Sequence, residues 1–294
     1  MVLITGATKL LGVMGDPIEH SLSPVMHNAA LQALATQKSQ DFLEYVYVPW
    51  PVTTAALPQV VSSLWDIGCC GFNITIPHKQ AIMPLLTETT AIAKAVGAVN
   101  TVWPVESGWA GTNTDVQGFV SPLQTIDRDW STITPCILGC GGAARAVLAG
   151  CAQLGCPKVH IIGRQTSKLQ ELQATCASAL SLDIQTHLWQ DRSPILTEAV
   201  LLINTTPVGM SPHSQASPLS APEIDQLPAN AIVYDLIYNP NPTLLLQTCT
   251  ASGRTAISGI EMLVQQGAAA LSLWLGQPAP ANIMRSALLA CFAQ

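Results

Sequence analysis

The sequence predicts an α/β protein of two domains, with strands and helices alternating around parallel sheet. Three observations predict it. The chain has 294 residues, more than a single core usually organises, and 49% are hydrophobic against 10% charged. From residue 133 onward, apolar runs of strand length alternate with helical stretches, the pattern that lays helices on both faces of a parallel sheet. Finally, a glycine-rich turn, GCGGAA at residues 139–144, stands between a strand and a helix.

In chain order, residues 10–15 (LLGVMG) read as a strand. Residues 23–35 (SPVMHNAALQALA) have helical spacing, with Pro24 at a favoured first-turn position. Residues 42–49 (FLEYVYVP) are strand-like. Residues 72–76 (FNITI) form a strand whose period of two puts Phe72, Ile74 and Ile76 on one face and Asn73 and Thr75 on the other. Residues 77–97 read as a helix interrupted at Pro84, and residues 98–104 (AVNTVWP) pair as a hairpin with the segment after Gly108. The second half runs strand (135–139), helix (142–155), strand (158–163), helix (167–180), then strands at 199–206 and 231–238. The Ser/Pro-rich residues 211–228 read as a mobile loop, and residues 259–294 as helical.

Composition excludes several classes. No window approaches the ~18 apolar residues that span a bilayer, and no basic start or small-residue cleavage site precedes Asp16, so neither leader nor anchor is expected. The net charge of -6 comes with no basic run, which speaks against nucleic acid or an anionic membrane as partner. The nine cysteines include no C-x-x-C pair, and several, such as Cys136, Cys151 and Cys291, lie in apolar runs. They read as free thiols in a reducing cytoplasm. No His or Cys pair has ligand spacing, so no metal is expected. No helix carries a clear self-complementary apolar stripe, which leaves monomer and homodimer both open.

The turn ILGCGGAAR (137–145) follows a strand and opens a helix, the context that gives G-x-G-x-x-G/A its meaning. Gly139 makes the tight turn, Gly141 lets a pyrophosphate approach the backbone, and Ala144 permits close helix–strand packing. The helix start then offers N–H groups to phosphates. At the end of the next strand, where an acidic residue would grip the ribose hydroxyl of NAD, the chain reads GRQTSK with Arg164 and Lys168. That cationic pair suits the 2′-phosphate of NADP. A second glycine turn at residues 2–12 resembles that of short-chain dehydrogenases. However, Leu10 stands where glycine is needed, and the chain has no Tyr-x-x-x-Lys pair.

Three polar clusters mark the other half. In FNITIPHK (72–79), a helix starting at Pro77 would hold Lys79 in its first turn, where the helix dipole disfavours an ammonium and so favours proton transfer. The residues alone leave equally open an exposed lysine without a role. In GTNTDVQGF (111–119), Asp115 reads as a helix cap or as a functional carboxylate. In EHSLSP (19–24), Ser23 reads as an N-cap or a ligand.

Taken in order, EHSLSPVMHNAAL, FNITIPHK, GAVNTV, GTNTD, ILGCGGAAR, INTTPVGM, VYDLIY and GIEMLVQQGA resemble the shikimate dehydrogenases, over nearly the whole chain from about Leu11. The resemblance implies a discontinuous N-terminal α/β substrate domain (residues 1–114, completed by 259–294) and an inserted Rossmann NADP-binding domain (115–258). It implies reduction of 3-dehydroshikimate to shikimate by NADPH, a step of the shikimate pathway toward chorismate and aromatic amino acids. Lys79 would be the catalytic acid–base and Asp115 its partner. Ser21 and Ser23 would take the substrate carboxylate with Tyr238 nearby, and Thr75, Asn100 and Gln266 the hydroxyls. Gly139, Cys140, Gly141, Gly142 and Ala143 would hold the pyrophosphate, and Gly163, Arg164, Gln165, Thr166, Ser167 and Lys168 the 2′-phosphate. Leu236 and Gly259 would approach the nicotinamide. Two positions depart from the family. Its phosphate loop usually begins Asn-Arg-Thr, here Gly163-Arg164-Gln165, and glycine usually follows N-T-D, here Val116. The alternatives are a quinate/shikimate dehydrogenase using NAD and a catalytically silent NADPH-binding regulator. The presence of both Lys79 and Asp115 argues against the regulator.

Overall fold

The computed structural model describes residues 3–292. Val2 of the N-terminal glycine turn, and residues 1–2 and 293–294 of the first domain's span, lie outside the described residues. Two compact units divide the chain: one runs to Asp115 and resumes at Val264, and the other spans Val116–Leu263.

The first unit contains β1 (Lys9–Gly15), α1 (Ser23–Gln37), β2 (Tyr45–Pro51), α2 (Leu57–Asp66), β3 (Gly71–Ile74), β4 (Glu88–Thr89), α3 (Ala91–Val96), β5 (Thr101–Val105) and β6 (Gly108–Thr112). Helix α4 (Asp115–Gln124) leads into the second unit. There follow β7 (Cys136–Leu138), α5 (Gly142–Gln153), β8 (Lys158–Gly163), α6 (Thr166–Leu180), β9 (Asp183–Leu188), α7 (Ser193–Leu196) and β10 (Leu201–Asn204). After them come α8 (Ala221–Ile224), β11 (Ile232–Asp235), α9 (Leu244–Ala251) and β12 (Thr255–Ser258). Helices α10 (Gly259–Leu275) and α11 (Ala281–Phe292) return the chain to the first unit.

The first sheet has the order β2-β1-β3-β5-β6-β4. Strands β1, β2 and β3 are parallel, while β5 runs antiparallel to β3 and to β6. Phe72 and Ile74 of β3 face a core with Val61, Leu64, Val102 and Trp109, and the Phe72 and Trp109 rings meet edge to face at 5.0 Å. Each such side chain contributes roughly 1.5–3 kcal/mol by leaving water. On the other face, Gly71 lies so close under the indole of Trp274 that a Cβ there would collide with it. The Trp274 Nε1–H donates to the Val102 carbonyl at 2.9 Å, which fixes α10 across the sheet.

In the second unit the order is β12-β11-β10-β7-β8-β9, all parallel. Counting its own strands from β7 gives the doubly wound order 3-2-1-4-5-6, whose switch point lies between β7 and β10. The expected Rossmann half is thus present. Gly139, in the turn leaving β7, has φ +104°, and a Cβ there would stand 2.6 Å from the Thr205 hydroxyl after β10. Only glycine fits this turn.

Several local expectations change. Residues 76–82 form successive turns, not an α-helix, and residues 83–85 form a single 3-10 turn before β4 and α3. Lys79 therefore has no helix N-terminus beneath it. Because β3 ends at Ile74, Ile76 is 72% exposed and does not continue the buried face. Ser23 does not cap α1: the N-cap is Leu22, without a side-chain bond. Residues 211–228 are anchored by buried Leu219, Ile224 and Leu227, and α8 within them carries a Ser220/Glu223 capping box. Helices α2 and α9 and strands β9 and β12 have no counterpart in the sequence reading. Both strands lie at sheet edges, where half-exposed polar residues replace apolar runs. No helix among the described residues is long and apolar enough to cross a membrane.

One buried histidine makes the first unit acid-sensitive. His27 of α1 is fully buried and stacks on Tyr47 at 4.0 Å between ring centroids. Its Nδ1 lies 2.8 Å from the Ser23 carbonyl, and burial pulls its pKa down to about 4. The unfolded chain protonates this ring near pH 6.5, so between those values the unfolded state binds more protons and stability falls as pH falls. Acidification from pH 7 to pH 5 should remove about 2 kcal/mol through this group. Urea midpoints at the two pH values check it. The drop should shrink in His27→Phe, and an equal drop in both proteins would assign the acid sensitivity elsewhere.

Candidate active site

The turn after β3 is held by two long-range bonds. His78 is fully buried, its Nε2 lying 2.5 Å from the Val52 carbonyl, and the Lys79 carbonyl accepts the Val99 N–H at 2.8 Å. With the backbone pinned on both sides, the Lys79 side chain projects toward α4. Its Nζ meets Asp115 Oδ2 at 2.6 Å, the two side chains being 31% and 16% exposed.

Each residue of the N-T-D motif has a separate task. The Asn113 side chain donates to the Ala98 carbonyl at 2.9 Å and accepts the Asp115 N–H at 3.0 Å, an Asx turn that aims Asp115. The Thr114 N–H donates to Asn100 Oδ1 at 2.7 Å. Asp115 opens α4 and presents both oxygens, Oδ2 to Lys79 and Oδ1 to the Asn100 side-chain amide at 2.8 Å. Asn100 Nδ2 also lies 3.4 Å from Gln266 Oε1. Lys79, Asp115, Asn100 and Gln266 are therefore brought together. An ammonium has three donors and the carboxylate engages one, so the group can also present a proton to a bound oxygen.

Thr75 follows the last residue of β3, its N–H bonded to the Met14 carbonyl and its methyl packed where a Cβ on Gly15 would stand. Ser21 and Ser23 lie at the start of α1. The Ser21 Oγ accepts the Ser23 N–H at 3.3 Å, and burial holds the phenol of Tyr47 well above its usual pKa. Tyr238, Leu236 and Gly259 belong to the second unit. Gly259 backs onto the Leu236 carbonyl with no room for a Cβ, and burial raises the Tyr238 pKa.

The residues of the second unit suit a dinucleotide. Gly141 is the N-cap of α5, and a Cβ on Gly141 or Gly142 would meet nothing within 4 Å. Ala143 is exposed beside them while Ala144 is buried against the sheet. This is an open cradle of backbone N–H groups at a helix start. Cys140 is half-buried, its Sγ 3.3 Å from where a Cβ on Gly163 would stand, and Leu169 lies 2.9 Å from the same point. A Cβ at Gly163 would crowd both side chains. Arg164, Gln165, Thr166, Ser167 and Lys168 are all exposed at the start of α6, whose N-cap Gln165 makes no side-chain cap bond. Among the described residues, neither Arg164 nor Lys168 is engaged in an ion pair, so both cations stand ready for an added phosphate. Arg145, the last residue of the glycine motif, instead ties α5 to α6 by donating to Thr175 Oγ1 at 3.0 Å and pairing with Glu171 at 3.7 Å.

The sequence reading did not single out Thr101 and Thr114, which bond Asn100, or Tyr47, which bonds Asn73 behind it. The only local signal was the polar Asn73 inside an apolar strand.

Comparison with known proteins gives a consistent set. Residues 13–102 match the shikimate dehydrogenase substrate binding domain, and residues 259–289 match the shikimate 5′-dehydrogenase C-terminal domain. The chain is 51% identical to the shikimate dehydrogenase (NADP(+)) of Microcystis aeruginosa, over 99% of this chain and 100% of that one. A solved shikimate dehydrogenase in complex with NADP+ superposes with a TM-score of 0.88 at 33% identity, covering 100% of this chain and 99% of that one. The shikimate 5-dehydrogenase of Thermus thermophilus in complex with NADP(H) and shikimate gives 0.80 at 32% identity, covering 96% and 99%.

Proposed function

The chain belongs to the shikimate dehydrogenase family, and from that membership we infer that it catalyses the reversible NADPH-dependent reduction of 3-dehydroshikimate to shikimate. Bound NADPH supplies the hydride. The Lys79 ammonium donates a proton to the carbonyl oxygen as the carbon is reduced, and in the reverse direction Nζ takes the hydroxyl proton. Asp115 holds Nζ in place and accepts from the same substrate hydroxyl. The observation that carries this reading is the Lys79–Asp115–Asn100 constellation, with contacts of 2.6 and 2.8 Å. A fixed ammonium beside a substrate oxygen is the geometry that general acid catalysis needs.

On the substrate, Ser21 and Ser23 bind the carboxylate with Tyr238, and Thr75, Asn100 and Gln266 bind hydroxyls. Gly139, Cys140, Gly141, Gly142 and Ala143 bind the pyrophosphate, and Leu236 and Gly259 line the nicotinamide. Arg164, Thr166 and Lys168 hold the 2′-phosphate. Nine free cysteines suit the cytoplasm as the compartment.

The test is steady-state oxidation of shikimate and of quinate with each cofactor, followed by reduced-nicotinamide absorbance. Losing charge-assisted hydrogen bonds to the 2′-phosphate costs ~1.5–3 kcal/mol, so kcat/KM with NADP should exceed that with NAD by about 10–100-fold. Equal efficiency with the two cofactors, or quinate turned over as well as shikimate, would favour the alternative enzyme.

A further inference from the structure

Behind Asn100 runs a chain of buried hydrogen bonds in which every proton points toward Asp115. It begins at Tyr47, whose hydroxyl donates to Asn73 Oδ1 at 2.7 Å. The Asn73 Nδ2 group donates to the Asn100 carbonyl and to the Thr101 hydroxyl, each at 3.0 Å. A backbone carbonyl only accepts, so the Asn73 amide has one possible orientation. Thr101 Oγ1 therefore receives a proton from Asn73 and directs its own forward, to Asn100 Oδ1 at 3.0 Å. The Thr114 hydroxyl lies 3.1 Å from the same oxygen and 3.0 Å from Thr101 Oγ1.

Asn100 Oδ1 thus faces the Thr114 N–H and two hydroxyls. A flipped amide would bring its own N–H groups against these donors and turn its oxygen toward the Asp115 carboxylate. Thr101, Asn100 and Asn73 are almost wholly buried, so water does not repair a missing bond, and donors aligned in series strengthen one another.

We propose that Thr101 is a positioning residue for the reaction: its hydroxyl, fed by Tyr47 and Asn73, locks the Asn100 amide so that Nδ2 holds Asp115 against Lys79. This rests on the assignment of Lys79 and Asp115 as the acid–base pair.

The experiment compares kcat of Thr101→Val and Thr101→Ser in the parent and in a Lys79→Ala background. Valine keeps the shape and removes the hydroxyl, and serine restores it. A full 1 Å misplacement at an active site costs up to ~100-fold. Thr101→Val should lower kcat about tenfold while leaving the KM for NADP within twofold, and Thr101→Ser should stay within threefold of the parent. If Thr101 acts through the pair, valine should cost no further activity once Lys79 is alanine. A merely structural role would lower the melting temperature without this kinetic coupling. The proposal is overturned if valine and serine are alike, if valine leaves kcat within twofold, or if its cost is equal in both backgrounds. If Thr101→Val does not accumulate as folded protein, Thr114→Val reads the same lock from the other side, with the same outcomes. Failure of the acid–base reading is distinguishable, since Lys79→Ala alone would then retain parental kcat.

Discussion

Lys79→Ala is expected to lower kcat by about 10²–10⁴-fold, the usual worth of a positioned general acid–base group, with the KM for shikimate changed no more than a few-fold. The backbone at this position is pinned by His78 on Val52 and by the Lys79 carbonyl on Val99, and alanine preserves both contacts. The truncation therefore removes the ammonium and little else. The ion pair is partly exposed, so its loss takes little from stability. Asp115 keeps its bond from Asn100 at 2.8 Å and stays in place. Matched losses in kcat and kcat/KM would identify an interaction made in the transition state. Single-turnover hydride transfer separates this from slow product release. A variant with near-parental kcat would remove Lys79 from its role.

The route by which this lysine could be read from the sequence differs from what holds it. FNITIPHK and GTNTD pair a lysine with an aspartate 36 positions away, and their resemblance to a family was enough to single them out. The local physics pointed to a helix dipole under Lys79, but the segment is a run of turns. Its anchors, the Val52 and Val99 backbones, come from distant segments that no periodicity reveals. His78 illustrates the same limit: its buried ring is a strut on the Val52 carbonyl, a contact from a distant segment. The second unit was more legible. Its strands and helices repeat locally, its core strands are continuous apolar runs, and Gly139 announces the switch point. Of its strands, only the edge strands β9 and β12 escaped, because a strand with one neighbour needs fewer apolar residues. The first sheet was harder. Its mixed order depends on β5 lying antiparallel beside β3, and that pairing also joins Asn73 to Thr101 and the Tyr47 network to Asn100.

The cofactor half carries the second large effect: Arg164→Ala is expected to raise the KM for NADP by about 10–100-fold, and that for NAD by less than about threefold. The guanidinium is exposed and has no partner among the described residues, so the free enzyme loses no stabilising contact. The loss falls on the complex, where a charge-assisted bond to phosphate is worth ~1.5–3 kcal/mol. Gly163 leaves room for Leu169 and Cys140, and in the proposed function the 2′-phosphate falls to Arg164, Thr166 and Lys168. An added Lys168→Ala should therefore weaken NADP further and not return binding to a neutral baseline. Salt gives an independent reading. Exposed charges are screened within about 10 Å at 0.1 M ionic strength, so the KM for NADP should rise with salt in the parent and respond less in Arg164→Ala. The KM for NAD should stay nearly flat in both. Equal losses for the two cofactors would instead place Arg164 on the pyrophosphate or in the fold, leaving the 2′-phosphate to Lys168 and the N–H groups that open α6.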